Sequence, residues 1–333
     1  MSALRESARL ARDLHVLLST GLAVDQALGR ICSQASGRWA AGLRKAQEAA
    51  ASGSSLAEAL RSAGSFPKLL VEGMEAAADH EPLARISELL EESDWRQGQI
   101  RLVLSYPVIL LAAGLALVWL VYGMLGATFT ELLGGMSLKL PFFTQMTLLL
   151  VRMASNPWVI TLEIALIAFV YWLLSGAAGT AALRLRLPLV GDWIRRSESV
   201  TWLSWVDYFL ATGLSVPESM RRAAAACGDV AFRAKMEAAA AAADRGQELS
   251  KALGREKALP ELGLLLVARG EGLEFPPHYL ARVAAVLKRE QDTESEGGLA
   301  ILEVAGVLAM LLVIPPVIIG FFLPLYQLIG NIA

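Results

Sequence analysis

The chain has 333 residues, a formal net charge of −2 and 55% hydrophobic residues, with a mean hydropathy of +0.49. The near-neutral charge excludes the broad basic field of a nucleic-acid binder. The hydrophobic excess is concentrated in three blocks and is too large for an ordinary soluble protein, so an integral membrane protein with soluble parts is expected.

Residues 1–101 read as a bundle of short helices and form the first expected domain. The opening MSALRESARLARDL is charged and amphipathic, with no apolar core of a signal peptide. An apolar helix runs to Thr20-Gly21, and a second begins at Asp25. Ser55 and Glu58, three apart after Gly53, have the spacing of a capping box. Ser65-Phe66-Pro67 breaks the pattern before a helix expected at Lys68–Ala78. Pro82 then opens another, with Leu83, Ile86, Leu89 and Leu90 at helical spacing.

Three apolar spans follow from hydropathy. Residues 102–125 carry no charge and are long enough to cross the ~30 Å hydrocarbon core at ~1.5 Å per residue. Residues 126–156, with Glu131, Lys139 and Arg152 as their charges, form a short connection. The second span is 157–176, with Trp158, Tyr171 and Trp172 near its ends as interface aromatics. Residues 181–298 form the second helical domain, including an Ala-rich helix expected at Ala223–Ala243. The third span is 299–328, interrupted by Pro315-Pro316 and Pro324, and 329–333 form the C-terminal tail. Arg96 and Arg101, then Arg184 and Arg186, flank the first two spans, and no Lys or Arg follows Arg289. The positive-inside rule therefore puts both large domains and the N-terminus in the cytoplasm, and the C-terminus in the periplasm.

The two domains are copies of one another. VDYFLATGLSVPESM at 206–220 matches LHVLLSTGLAVDQAL at 14–28, with Thr20, Gly21, Leu22 and Val24 against Thr212, Gly213, Leu214 and Val216 at one offset. Gly53, Leu56, Ala59, Leu60, Pro67 and Leu69 match Gly246, Leu249, Ala252, Leu253, Pro260 and Leu262 at nearly the same offset. Gly21 and Gly213 are expected at equivalent helix ends, in the left-handed backbone that glycine adopts freely. The fold class is thus an all-α membrane protein with two homologous cytoplasmic helical-bundle domains and three transmembrane helices.

The duplicated helix, Thr-Gly turn, helix, Gly-x-x-Leu-x-x-Ala-Leu and x-Pro pattern resembles the cytoplasmic domain of the type II secretion system F family. That family includes the PilC-type inner-membrane platform proteins of type IV pili. Tyr106-Pro107, Leu140-Pro141 with Thr144, Leu187-Pro188-Leu189-Val190-Gly191 and the ending Leu323–Leu328 extend the likeness. Gly270-Glu271-Gly272 resembles the family's Gly-Glu turn, whereas its first-repeat counterpart is Ala77-Ala78-Asp79. The family's Leu-Glu-Pro before the last span appears as Leu302-Glu303-Val304. The resemblance implies a platform in the bacterial inner membrane. It would work with a cytoplasmic hexameric assembly ATPase, pilin-like subunits and other inner-membrane assembly proteins, and as a homo-oligomer. A membrane subunit of an ATPase-driven transporter is the alternative, although three spans in one copy enclose little pathway.

No nucleophile–base set, phosphate loop or metal spacing stands out, so neither enzymatic activity nor a cofactor or metal is expected. His15, His80 and His278 are scattered. Cys32 and Cys227 occupy no CxxC pair and read as buried, reduced thiols. Glu163 and Glu303 are intramembrane carboxylates and hence functional candidates. Each lies only ~5–8 Å from a span end, within reach of the headgroups, so snorkelling competes with that role. Arg221, Arg222, Arg233 and Lys235, near the Ala-rich helix, are the candidate ATPase-docking residues, against an ordinary role as solvated charge.

Overall fold

The computed structural model describes residues 3–35, 37–76, 82–98, 156–174 and 190–293, together with scattered positions within 109–149 and 308–326. Two compact units emerge: Met1–Arg101 with Ala181–Asp292, and Leu102–Thr180 with Thr293–Ala333. All regular structure among the described residues is helical.

In the first repeat, helix α1 (Ala3–Ser19) buries Ala8, Leu10, Ala11, Leu14 and Leu18 along one stripe. That three-and-four spacing is what commits it to a one-sided helix. It stops at Gly21, whose φ is 85°. Gly21 N–H bonds Leu18 O at 3.0 Å and Leu22 N–H bonds Leu17 O at 3.4 Å, the paired bonds of a Schellman end. Helices α2 (Val24–Gln34), α3 (Arg38–Ala51), α4 (Leu56–Ala63) and α5 (Lys68–Ala76) follow. A further helix, α6, spans 82–98 and buries Leu83, Ile86, Leu89 and Leu90. At α4, Ser55 and Glu58 form the reciprocal capping box. Helix α5 ends at Ala76 within the described residues.

Helix α7 (Pro157–Leu174) belongs to the second unit. Among the described residues no helix is long and apolar enough to cross a membrane. Helix α7 is apolar, but its 18 residues reach about 27 Å, against roughly 30 Å for a bilayer core. Most residues of the spans expected at 102–125 and 299–328 and of the connection at 126–156, and all of the tail at 329–333 and Glu303, lie outside the described residues. Glu163 falls within α7, but its side chain is also outside them.

The second repeat retraces the first as α8 (Val190–Ala211), α9 (Val216–Ala224), α10 (Val230–Asp244), α11 (Leu249–Arg255), α12 (Glu261–Glu271) and α13, which spans 279–293. Gly213 closes α8 with φ 88°, and its neighbours repeat the bonds at Gly21: Gly213 N–H to Leu210 O at 3.0 Å, Leu214 N–H to Phe209 O at 3.2 Å. Gly53 and Gly246 form a second matched pair, with φ of 91° and 79°.

The Ala-rich helix expected at Ala223–Ala243 is two helices. The chain breaks between Ala224 and Val230, because Asp229 caps α10 through its side chain, accepting from Ala231 and Phe232 N–H at 2.9 Å each. The Glu198 carboxylate, reaching in from α8, accepts from Gly228 and Asp229 N–H at 3.0 Å each. These amides would otherwise continue a helix ladder; the two carboxylates hold them in a turn. The thiol expectation holds for Cys227, which is buried, but Cys32 in the last turn of α2 is only half-buried.

Candidate functional site

The two repeats join along one face of α8. Its residues Trp205, Tyr208 and Phe209 form a buried aromatic cluster with ring centroids 5.4–5.8 Å apart. A buried ring brings a polar group that needs a partner, and here both partners come from the first repeat. Trp205 Nε1–H donates to Ser93 Oγ of α6 at 3.1 Å. Tyr208 OH donates to Gly73 O of α5 at 2.8 Å. Burial pushes the Tyr208 phenol above its ordinary range, so the donor stays protonated. At Gly73 an added Cβ would sit 3.4 Å from Ile86 and 3.5 Å from Trp205, so the helix packs closely there. Glu92 of α6 accepts from Arg96 at 2.9 Å and from Lys288 of α13 at 3.2 Å. Burial alone would raise its carboxyl, but the two cations outweigh it and hold the group below the usual carboxylate value. Apart from Arg96, read from the sequence only as a basic flank, none of these joining residues stood out; their only mark was a Trp and Tyr density in α8.

A cleft of about 600 Å³ opens beside this joint, lined by Leu56, Met74, Ile86, Leu214, Glu75 and Arg222 among others. Arg222 bridges the repeats there: it pairs with Glu218 at 2.8 Å in its own helix and approaches Glu75 of α5 at 4.0 Å. Glu75 also pairs with Arg61. Glu72 stands nearby, its carboxyl raised by burial despite Lys68 and Arg222.

The four basic residues singled out above do not make one exposed patch. Arg221 alone is exposed, and it pairs with Glu218 and Asp244. Arg222 is half-buried in the inter-repeat contact just described. Arg233 is half-buried and donates to Cys227 O at 2.6 Å, bracing the α9–α10 turn. Lys235 is half-buried, and burial with nearby Arg195 lowers its pKa. Helical amphipathicity decides this: α9 and α10 each carry their basic residues partly round to the packed side.

Two acidic residues do structural work at helix ends. Glu198 is buried, and desolvation raises its carboxyl to about 7 even though Gly228 and Asp229 N–H stabilise the charged form. The adjacent Cys227 thiol is pushed well up, first by burial and then by Glu198, so it is an unreactive thiol. Glu6-Ser7 and Glu198-Ser199 match at the offset of the repeat, a signal available in the sequence. Glu271 accepts from the N–H groups of Leu249 and Ser250, the latter at 3.0 Å, and so caps α11 from the end of α12. Gly270 beside it packs closely under the Tyr279 ring: an added Cβ would sit 2.4 Å from that ring and force it to move. The Gly-Glu turn is thereby a helix-capping device. No group of three or more His, Cys, Asp or Glu among the described residues is placed to hold a metal ion. Of the histidines, exposed His278 lies 3.4 Å from the buried Asp207 carboxylate, and His80 is outside the described residues.

Comparison with known sequences places these features in context. The profile described as type II secretion system (T2SS), protein F matches residues 10–127 and again residues 208–324. A type IV pilus assembly protein PilC from Thermus thermophilus is 24% identical over 342 residues, covering 99% of this chain and 84% of its own length. A type II secretion system protein F from Pseudomonas aeruginosa is 26% identical, covering 98% of this chain and 84% of its own length. A protein F from Xanthomonas campestris is 28% identical over 82% of this chain and 69% of its own length.

Proposed function

The chain belongs to the type II secretion system protein F family, and we propose that it is the inner-membrane platform of a type IV pilus or type II secretion machine. In this reading it does no chemistry of its own. It couples a cytoplasmic hexameric ATPase to the insertion of pilin-like subunits into a growing filament, alongside other inner-membrane assembly proteins. Both repeats lie in the cytoplasm, and the apolar stretches at 102–125, 157–176 and 299–328 span the membrane.

The observation that carries the proposal is the joint between the repeats. Buried donors from α8 end on α5 and α6, and Glu92 lies between two cations. Two homologous bundles locked this way move as one body, so a push on either reaches the segments that follow Arg101 and precede Ala181. The described outer face of α7 supports the membrane reading, since Trp158, Leu162, Ile164, Phe169 and Trp172 are exposed and apolar. In the same reading Glu163 and Glu303 are intramembrane carboxylates on the pilin-handling path.

Docking of the ATPase is assigned to the outer surface of the second repeat, around Arg221 and Lys235. Arg222 and Arg233 are half-buried and hold the inter-repeat contact and the α9–α10 turn, so their reversal would report on folding as well as docking, whereas the pairs that Arg221 makes with Glu218 and Asp244 are exposed and contribute little to stability. Full-length protein carrying Arg221→Glu and Lys235→Glu should keep its cellular level, lose ATPase in a pull-down and fail to support filament assembly. If ATPase recruitment and assembly survive deletion of either whole cytoplasmic repeat, the platform mechanism is wrong for this protein.

A further inference from the structure

Helix α12 presents an apolar outer face, and duplication gives a reference for it. Its first-repeat counterpart is α5, with Glu72 and Glu75 where α12 has Leu265 and Ala268. On α5 that side is more covered: Leu69, the counterpart of Leu262, is buried, Glu72, the counterpart of Leu265, is half-buried, and Arg222 of α9 approaches Glu75 at 4.0 Å. On α12 the same side is open, with Leu265 65% and Leu262 38% exposed, and Ala268 exposed between them and Arg269. At the central position the carboxylate of Glu72 is thus the more covered and the side chain of Leu265 the more open, the reverse of what solvation alone would favour.

The charges bounding this face say what covers it. Glu261, Leu265 and Arg269 follow one another at four-residue steps, so they form a single line along α12. The carboxylate lies at one end, the leucine in the middle and the guanidinium at the other, about 12 Å from end to end. Glu261 and Arg269 are both exposed, and neither makes an ion pair with another described residue. Such a line is complementary to itself when reversed. We propose that α12 packs against α12 of a second copy of this chain, antiparallel about a twofold axis at Leu265. Glu261 of each copy then meets Arg269 of the other while the leucines bury one another. A line in which both charges had one sign would repel in that arrangement. One helix face is well below the ~800 Å² per partner of a stable soluble dimer, so the contact needs the copies held close together by the rest of the molecule. The inference is independent of ATPase docking.

The test uses the full-length chain in mild detergent with Cys32→Ser, since the buried Cys227 thiol does not compete. Leu265→Cys should give a disulfide-linked homodimer on oxidation. Adding Glu261→Arg or Arg269→Glu alone should cut the cross-linked fraction roughly fivefold, the effect of about 1 kcal/mol. Combining the two reversals should restore it, although the combination is the worst of the three for the helix dipole. That restoration cannot come from a folding defect. No homodimer from Leu265→Cys in chain that keeps the wild-type melting temperature, or a homodimer indifferent to the charge reversals, overturns the proposal, whatever else then covers α12.

Discussion

At the scale of single residues, Glu198 makes a pH-dependent contribution that no exposed carboxylate here would. Its carboxyl titrates at about 7 in the fold, against 4.5 as the reference value. Between those values the folded chain holds a proton that the unfolded chain has released. Stability from this group is therefore full below about 4.5 and is lost as pH rises to about 7, on the order of 3 kcal/mol at the limit. Glu92 and Glu218 act oppositely and elsewhere: their lowered values give stability that is lost only as pH falls below 4.5. Thermal melts of the full-length protein should thus show a lower melting temperature at pH 7.5 than at pH 5.5. Glu198→Gln should shrink that difference while lowering stability at both, because an amide accepts from one of the two N–H groups and opposes the other. An unchanged difference in the variant would show that Glu198 is not its source.

At the scale of elements, equivalent helices solve one problem in two ways. Helix α4 caps itself through Ser55 and Glu58, while α11, whose N-cap Glu248 makes no side-chain capping hydrogen bond, borrows Glu271 from α12. Glu271→Ala should destabilise the second repeat by about 1–2 kcal/mol and speed amide exchange at Leu249 and Ser250. Ser55→Ala should cost about 1 kcal/mol and leave those amides untouched; equal exchange rates in Glu271→Ala and wild type would remove the capping role. The first cap was legible because its residues are three apart. The second was not, because residues 22 positions apart in sequence meet only after α11 and α12 fold back. The break at Cys227-Gly228-Asp229 was hidden for another reason. An alanine run outweighs a single Gly-Asp when helix propensity is summed along the chain, but the chain at this point answers to Glu198 on α8. The same logic covers the basic residues: type and spacing were readable, whereas their partial burial depended on which side of α9 and α10 packs inward.

At the scale of the molecule, the duplication was readable because two sets of glycines and leucines recur at nearly one offset. The left-handed φ at Gly21, Gly213, Gly53 and Gly246 gives that recurrence its physical basis. How the two repeats clasp was not readable, since Trp205 and Tyr208 have no apolar-ring counterparts in α1, where Asp13 and Val16 stand. Basic flanks at Arg101 and Arg184 give the expectation for topology. A reporter active only in the periplasm should work when fused after Ala333 and stay silent when fused at Gly53; the reverse pattern would reject the proposed orientation.

The clasp also sets a schedule for biosynthesis. Tyr208 bonds a carbonyl 135 positions earlier in the chain, and Trp205 a hydroxyl 112 positions earlier. At 5–20 residues per second, roughly 7 to 27 s pass between synthesis of Gly73 and arrival of Tyr208. Through that interval the ribosome is making the first two apolar stretches, and the face of α5 and α6 that α8 will cover stays open. The nascent first repeat is then most exposed to wrong partners, and a chaperone that shields α5 until Trp205 emerges would raise the yield of folded chain.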